Sequence, residues 1–168
     1  YTYVQDLAGN NVGSGTSSYF MTGDAARESA PAVLLGSLAD GATGVPVNGR
    51  LVLQFDTALA DRCVNAQTVQ VSSEGTPVAG GLTLSADRHQ LTFTPGAALS
   101  ADTLYTVTLD GLCDLAGNVL GGVTSGFTTS AVATADTTAP TVVIAPANAA
   151  TNVSANTTVT FTFNEAVD

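Results

Sequence analysis

The sequence predicts an all-β fold: a two-layer sandwich of seven strands, present once in full and flanked by partial copies of itself. Two observations carry this. Apolar residues alternate with period two between clusters of turn residues, and helical periodicity is almost absent. The string Asp-Leu-Ala-Gly-Asn also occurs twice, at residues 6–10 and 114–118, so the copies lie 108 positions apart.

The repeat extends well beyond that string. Each copy leads to a Phe and a Thr-rich end, Ser18-Tyr19-Phe20-Met21-Thr22 in one case and Ser125-Gly126-Phe127-Thr128-Thr129 in the other. Ala30-Pro31-Ala32-Val33 returns as Ala139-Pro140-Thr141-Val142, Thr43-Gly44-Val45-Pro46-Val47-Asn48 as Thr151-Asn152-Val153-Ser154-Ala155-Asn156, and Val52-Leu53-Gln54-Phe55 as Thr160-Phe161-Thr162-Phe163, always at an offset of 108 or 109. The chain therefore divides into the last strands of one unit (1–23), a linker (24–29), a complete unit (30–130), a second linker (131–138) and the first strands of a further unit (139–168). A period of 108 residues lies above the roughly 20–50 residues of solenoid repeats, which cannot fold singly, and fits a self-sufficient domain. Both chain ends are expected to fall inside a repeat.

Within the complete unit the first strand, 32–35, is entered through Ala30-Pro31, where proline favours extended backbone. Turn signals at Asp40-Gly41, Val45-Pro46 and Asn48-Gly49 separate it from the second strand, 50–55, whose Leu51, Leu53 and Phe55 face inward. One short helical turn is expected within 58–66. The third strand, 68–72, ends before Glu74-Gly75, and the fourth, 81–85, before Asp87-Arg88. The fifth, 90–94, points Leu91 and Phe93 into the core, and the sixth, 103–109, points Tyr105, Val107 and Leu109 there. After Gly117-Asn118 the seventh strand, 124–129, closes the unit. Seven short strands in about a hundred residues are the pattern of an immunoglobulin-like sandwich.

Composition excludes several partners. Four Lys and Arg stand against fourteen Asp and Glu, a formal net charge of -10, and phosphate recognition needs clustered cations, so nucleic acid is a poor partner. With 45% hydrophobic and only 11% charged residues the chain is expected to fold. No apolar run approaches the roughly 18 residues of a membrane span. Tyr1-Thr2-Tyr3-Val4-Gln5-Asp6 has neither a basic start nor an apolar signal core, so any export signal lay upstream or was removed.

The ordered set "DGATGVPVN" (40–48), "LQFDTAL" (53–59), "LTFTP" (91–95), "YTVTL" (105–109) and "DLAGN" (114–118), with "FTFNEAVD" (161–168) in the last segment, resembles the bacterial Ig-like domain of tandem surface and secreted proteins. The resemblance implies a stalk, spacer or adhesive array outside the cell, sometimes rigidified by calcium. It does not imply catalysis.

Cys63 and Cys113 follow the second and sixth strands, whose ends lie at one pole of such a sandwich, so a disulfide is expected between them. It would suit an oxidising compartment. The turn strings have a structural reading. Asp6 or Asp114 accepts N–H bonds across the turn, Gly9-Asn10 or Gly117-Asn118 supply positive φ, and Leu115 plugs the sandwich end. Their second reading is a calcium site in which Asp114 joins Asp56, Asp61 and linker Asp24, with Asp136 repeating it at the next junction. There is no Asp-x-Asp-x-Asp-Gly loop, so the spacing alone does not choose between the two.

His89, the single histidine, reads as a hairpin-tip residue, and no nucleophile elbow, HExxH, Walker loop or dinucleotide fingerprint accompanies it. Asn152-Val153-Ser154 and Asn156-Thr157-Thr158 match the glycosylation triplet and read as chance in an Asn- and Thr-rich stretch. The leading expectation is a structural module of an extracellular array whose partners are neighbouring repeats of the same or an identical chain, with partial units able to complement each other's strands. The alternatives are an adhesive module with a glycan or cell-surface protein ligand and an accessory domain of a secreted enzyme.

Overall fold

The structure is a computed structural model and describes residues 19, 21, 26–36 and 40–165. The first Asp-Leu-Ala-Gly-Asn copy with Asp6, Gly9 and Asn10, linker Asp24, and all of 1–23 except Tyr19 and Met21 lie outside the described residues.

Alternation of apolar side chains builds two facing sheets. One carries β1 (Val33–Gly36), β3 (Leu51–Phe55), β7 (Gln90–Pro95) and β6 (Gly80–Leu84) in that order. The other carries β2 (Ala42–Val45), β9 (Val123–Thr129), β8 (Leu104–Leu109), β4 (Val69–Ser73) and β5 (Thr76–Pro77). All pairs are antiparallel except β2 with β9, where Ala42 lies beside Phe127 and Val45 beside Thr129. The chain thus leaves the first sheet after β1 and joins the second as β2. All seven expected strands are present, and β2 and β5 are additional. β2 has no alternation to display in the sequence, because Gly41 just before it and Gly44 within it hold φ values of 77° and 72° that break the pattern.

The inward faces are those expected: Leu51, Leu53, Phe55, Leu91, Phe93, Tyr105, Val107 and Leu109 are all buried, packed with Val69, Val71, Leu99 and Phe127. Each fully buried side chain of this size contributes about 1.5–3 kcal/mol relative to exposure. Tyr105 stacks on Phe127 with ring centroids 5.4 Å apart, and its hydroxyl accepts the Ser100 N–H at 2.9 Å. A tyrosine at the start of this strand tied back to upstream backbone is a hallmark of immunoglobulin-like sandwiches. Buried Thr129 holds the same corner, its Oγ1 donating to the Ser100 carbonyl at 2.6 Å and accepting the Thr103 N–H at 2.9 Å.

The short helical turn expected within 58–66 is present as a single 3-10 turn, Asp61–Cys63. Leu59 is drawn instead into a bridge with Asp114, and Asn65 Oδ1 accepts the N–H groups of Gln67 and Thr68, ending the turn.

Beyond the second linker, β10 (Val142–Ala145) and β11 (Thr160–Phe163) form a separate antiparallel pair. Its register, Val142 beside Phe163, reproduces Val33 beside Phe55. Val142, Ile144, Phe161 and Phe163 share one face of the pair and stay 42–61% exposed, whereas the repeat equivalents of the two phenylalanines, Leu53 and Phe55, are buried.

Candidate functional site

Strand direction brings three connections to one pole of the sandwich. The segment after β3 and the segment after β8 meet through the Leu59–Asp114 bridge and the Ala60 N–H donating to the Cys113 carbonyl at 2.8 Å. The β6–β7 hairpin joins them, since the Arg88 carbonyl accepts the Leu59 N–H at 2.9 Å and the His89 carbonyl accepts the Phe55 N–H at 2.8 Å. Cys63 and Cys113 form the expected disulfide, with Cα atoms 5.5 Å apart. His89 is half-buried, its Nδ1 2.8 Å from the Asp87 carbonyl. Arg88 pairs with Asp61 at 2.8 Å.

The Asp114–Asn118 turn caps this pole. Asp114 is 1% exposed; its Oδ1 accepts the Asn118 N–H and its Oδ2 the Asn118 side-chain amide, both at 2.9 Å. Positive φ in the turn falls on Gly117, at 94°, and not on Asn118. Leu115 does not plug the sandwich end: it is 57% exposed, and Leu59, Leu112 and Leu120 fill that place. With Asp114 turned inward to satisfy the turn, the next side chain is left facing solvent.

Asp114 does not stand alone. Arg27, from the first linker, reaches over the pole with one guanidinium nitrogen 2.8 Å from Asp56 Oδ2 and another 3.3 Å from Asp114 Oδ2. Asn118 Nδ2 donates to the Arg27 carbonyl at 2.9 Å, and Asp56 Oδ1 accepts the Ala32 N–H at 2.8 Å. The Ala32 N–H and the Arg27 guanidinium together hold Asp56 below its ordinary pKa. Burial of Asp114 opposes its ionisation, but the Asn118 amide and the N–H groups of Asn118, Gly117 and Ala116 outweigh it and lower its pKa. Both carboxylates are therefore anionic at neutral pH and grip a cation; neither is poised to move a proton.

Of the residues proposed from sequence as calcium ligands, Asp56 and Asp114 converge, and the cation between them is Arg27. Asp61 is engaged by Arg88 instead. Among the described residues no three His, Cys, Asp or Glu side chains form a group able to hold a metal ion. Asp136 lies at the opposite pole, where the second linker leaves. Its N–H donates to Asn48 Oδ1 at 3.0 Å and its carbonyl accepts Asn48 Nδ2 at 2.8 Å, while its own Oδ1 accepts the Thr138 N–H at 2.9 Å. Burial and the neighbouring Asp136 carboxylate raise the pKa of Glu165.

Residues 27–129 and 136–168 match the family described as bacterial Ig-like domain. The chain belongs to that family. Solved structures to which the chain is similar include the following. PcoC, a methionine-rich copper resistance protein from Escherichia coli, is 19% identical with a TM-score of 0.50, covering 61% of this chain and 100% of that one. Domains 1–6 of the surface layer protein SbsC are 17% identical with a TM-score of 0.48, covering 70% of this chain. An L,D-transpeptidase from Mycobacterium smegmatis is 20% identical with a TM-score of 0.45, covering 60% of this chain and 40% of that one. The Ig-like chain spans about 15% of the length of the surface-layer structure it resembles. Comparison with curated proteins finds none that matches its sequence.

Arg27 and Asn48 were not among the residues singled out from sequence. A signal for Arg27 was present: it is one of only four basic residues in the chain and stands alone in its linker. Asn48 was read as a turn former, which it is; its side-chain bonds to a residue 88 positions away have no local signature.

Proposed function

We propose that this Ig-like chain is a structural spacer from a tandem array on a bacterial surface or in a secreted protein. The observation that carries the reading is the 108-residue repeat combined with the chain path: the first linker meets the sandwich at the disulfide pole, and the second leaves from the pole bearing Asn48. Domains joined in this way extend end to end. The disulfide supports an oxidising, extracellular setting. The separate family match at 136–168 supports a further repeat beginning after the second linker.

The uncovered apolar face of β10 and β11 supports the same reading. Phe161 and Phe163 stand where the complete sandwich buries Leu53 and Phe55, so the pair needs a second layer, supplied by strands of its own repeat or of an identical chain. The three connections at the disulfide pole are spent on bonds to one another and to the linker, which supports spacing over catalysis. An adhesive role is the alternative from another class; the sequence has no Trp and only four Tyr to offer a sugar-stacking platform.

Small-angle scattering and electron microscopy of the full-length protein test the proposal. A train of beads whose length grows in proportion to the number of repeats is expected. A compact particle with the repeats folded against one another would refute it.

A further inference from the structure

We propose that the two poles of the sandwich are sockets for the linkers, so that each joint is clamped by side chains of the adjoining domain rather than left as a free hinge. This deepens the spacer reading and rests on it, by naming the surface that meets each neighbouring repeat.

At the disulfide pole the socket is made of Asp56, Asp114 and Asn118, and its occupant is Arg27. The contact has two parts. The guanidinium lies between the two carboxylates, at 2.8 and 3.3 Å, and the backbone carbonyl of the same residue accepts the Asn118 amide at 2.9 Å. Side chain and main chain of Arg27 are held at once, which fixes the direction of the linker as well as its position. Asp114 is preorganised for this, since it is buried, anchored by its own turn and adjacent to disulfide-bonded Cys113. Among exposed ion pairs little energy is gained, but a buried carboxylate with a single cationic neighbour loses much when that neighbour departs.

At the other pole one side chain performs the task. The Asn48 amide both donates to and accepts from the backbone of Asp136, making the reciprocal pair of bonds that a neighbouring strand would make. Asn48 recurs as Asn156 in the next repeat, the position from which that repeat would hold its own outgoing linker. Linker residue Arg27 likewise recurs, but as Asp136. The hydrogen-bonded clasp beside it is retained: the Thr141 N–H donates to Asn164 Oδ1 at 2.6 Å, as the Ala32 N–H does to Asp56. Clamping by hydrogen bonds is thus common to both joints, and the Arg27 ion pair belongs to the first.

Two measurements on the full chain test the clamp. The chain has no Lys, and its arginines are Arg27, Arg50, Arg62 and Arg88, so trypsin cleavage after Arg27 reads the first joint separately from opening of the sandwich. The Arg27–Glu28 bond should be cut at least tenfold more slowly than in a free peptide of residues 22–33. Asp114→Asn and, as a milder change, Asn118→Ala should each restore most of that rate while cleavage at the other three arginines is unchanged. Amide exchange reads the second joint: the Asp136 N–H should exchange at least tenfold more slowly than those of Thr134 and Ala135, and Asn48→Ala should abolish the difference. Peptide-like cleavage after Arg27 in the wild-type chain, or an unprotected Asp136 amide, would overturn the clamp at that joint without any variant needing to fold. Such a result would leave a spacer with flexible joints, whereas failure of the array reading would appear in the scattering of the full-length protein.

Discussion

Replacing both half-cystines, Cys63→Ala with Cys113→Ala, removes a cross-link between residues 50 positions apart. In the chain-entropy treatment, closing a loop of that size in the unfolded chain is worth about 4 kcal/mol. Native contacts cannot compensate. The Leu59–Asp114 bridge and the Ala60–Cys113 hydrogen bond hold the same two segments together, but only in the folded state, so they leave the unfolded ensemble as free as before. For a domain near a hundred residues, with a guanidinium slope of about 2 kcal/mol per molar, the midpoint should fall by roughly 2 M. Against a total stability of about 5–15 kcal/mol, that leaves a marginal domain at best. The assay is equilibrium unfolding of the variant and of the reduced wild-type chain, followed by tyrosine fluorescence and circular dichroism. A midpoint shift below about 0.5 M guanidinium with an unchanged slope would refute the loop-closure argument. It would mean that the two loops already meet in the unfolded chain.

Gly80→Ala should destabilise the sandwich by about 1–3 kcal/mol in the same assay, because an added Cβ would run into the Phe93 ring and come within 2.7 Å of the Thr94 carbonyl oxygen. Tyr105→Phe should cost about 1 kcal/mol through the lost bond to the Ser100 N–H, while leaving the ring stack on Phe127 in place; calorimetric melting would measure it. Ala149 holds a φ of 61° where the complete repeat has Gly41 at 77°, so Ala149→Gly should slow amide exchange in the β10–β11 segment, with local stability rising by about 1 kcal/mol. Asp56, Asp87 and Asp114 all have depressed folded-state pKa values. Their contribution is complete above the unfolded value of about 4 and disappears as pH falls through the folded values. The melting temperature should therefore drop on acidification below about pH 4, less steeply in Asp114→Asn.

The strands were legible because burial on one face imposes alternation, and Leu51-Val52-Leu53-Gln54-Phe55 displays it without interruption. The disulfide was legible for a related reason: strand direction alone sends the ends of β3 and β8 to one pole. What escaped detection was decided by single side chains. The extent of the helical turn within 58–66 is one such feature, confined to Asp61–Cys63 by Asn65 and the Leu59–Asp114 bridge. Two glycines hid β2. Leu115 was assigned to the interior on hydrophobicity, but its neighbour Asp114 had already taken the inward position to close the turn. The linker clamps were illegible because ion pairs and amide bonds between distant segments leave no periodicity in the sequence.

The repeats preserve backbone geometry more faithfully than they preserve residues. Gly41 and Gly44, at positive φ, correspond to Ala149 and Asn152, also at positive φ. The turn closed by the Gly49 N–H on the Pro46 carbonyl corresponds to one closed by Thr157 on Ser154. Asn tolerates that conformation through local hydrogen bonding and Ala tolerates it only at a cost, so the turn is held in the second case by the paired strands around it. Charge follows a different rule. The linker position occupied by Arg27, which pairs with two carboxylates, is occupied one repeat later by Asp136, which adds its charge beside Glu165. Sandwich geometry is fixed by what a β-turn and a buried face require, and those requirements are the same in every unit. A joint has no such common requirement, so its electrostatics can differ from one junction to the next, and stiffness along an array of these domains would vary joint by joint while its beads remained alike.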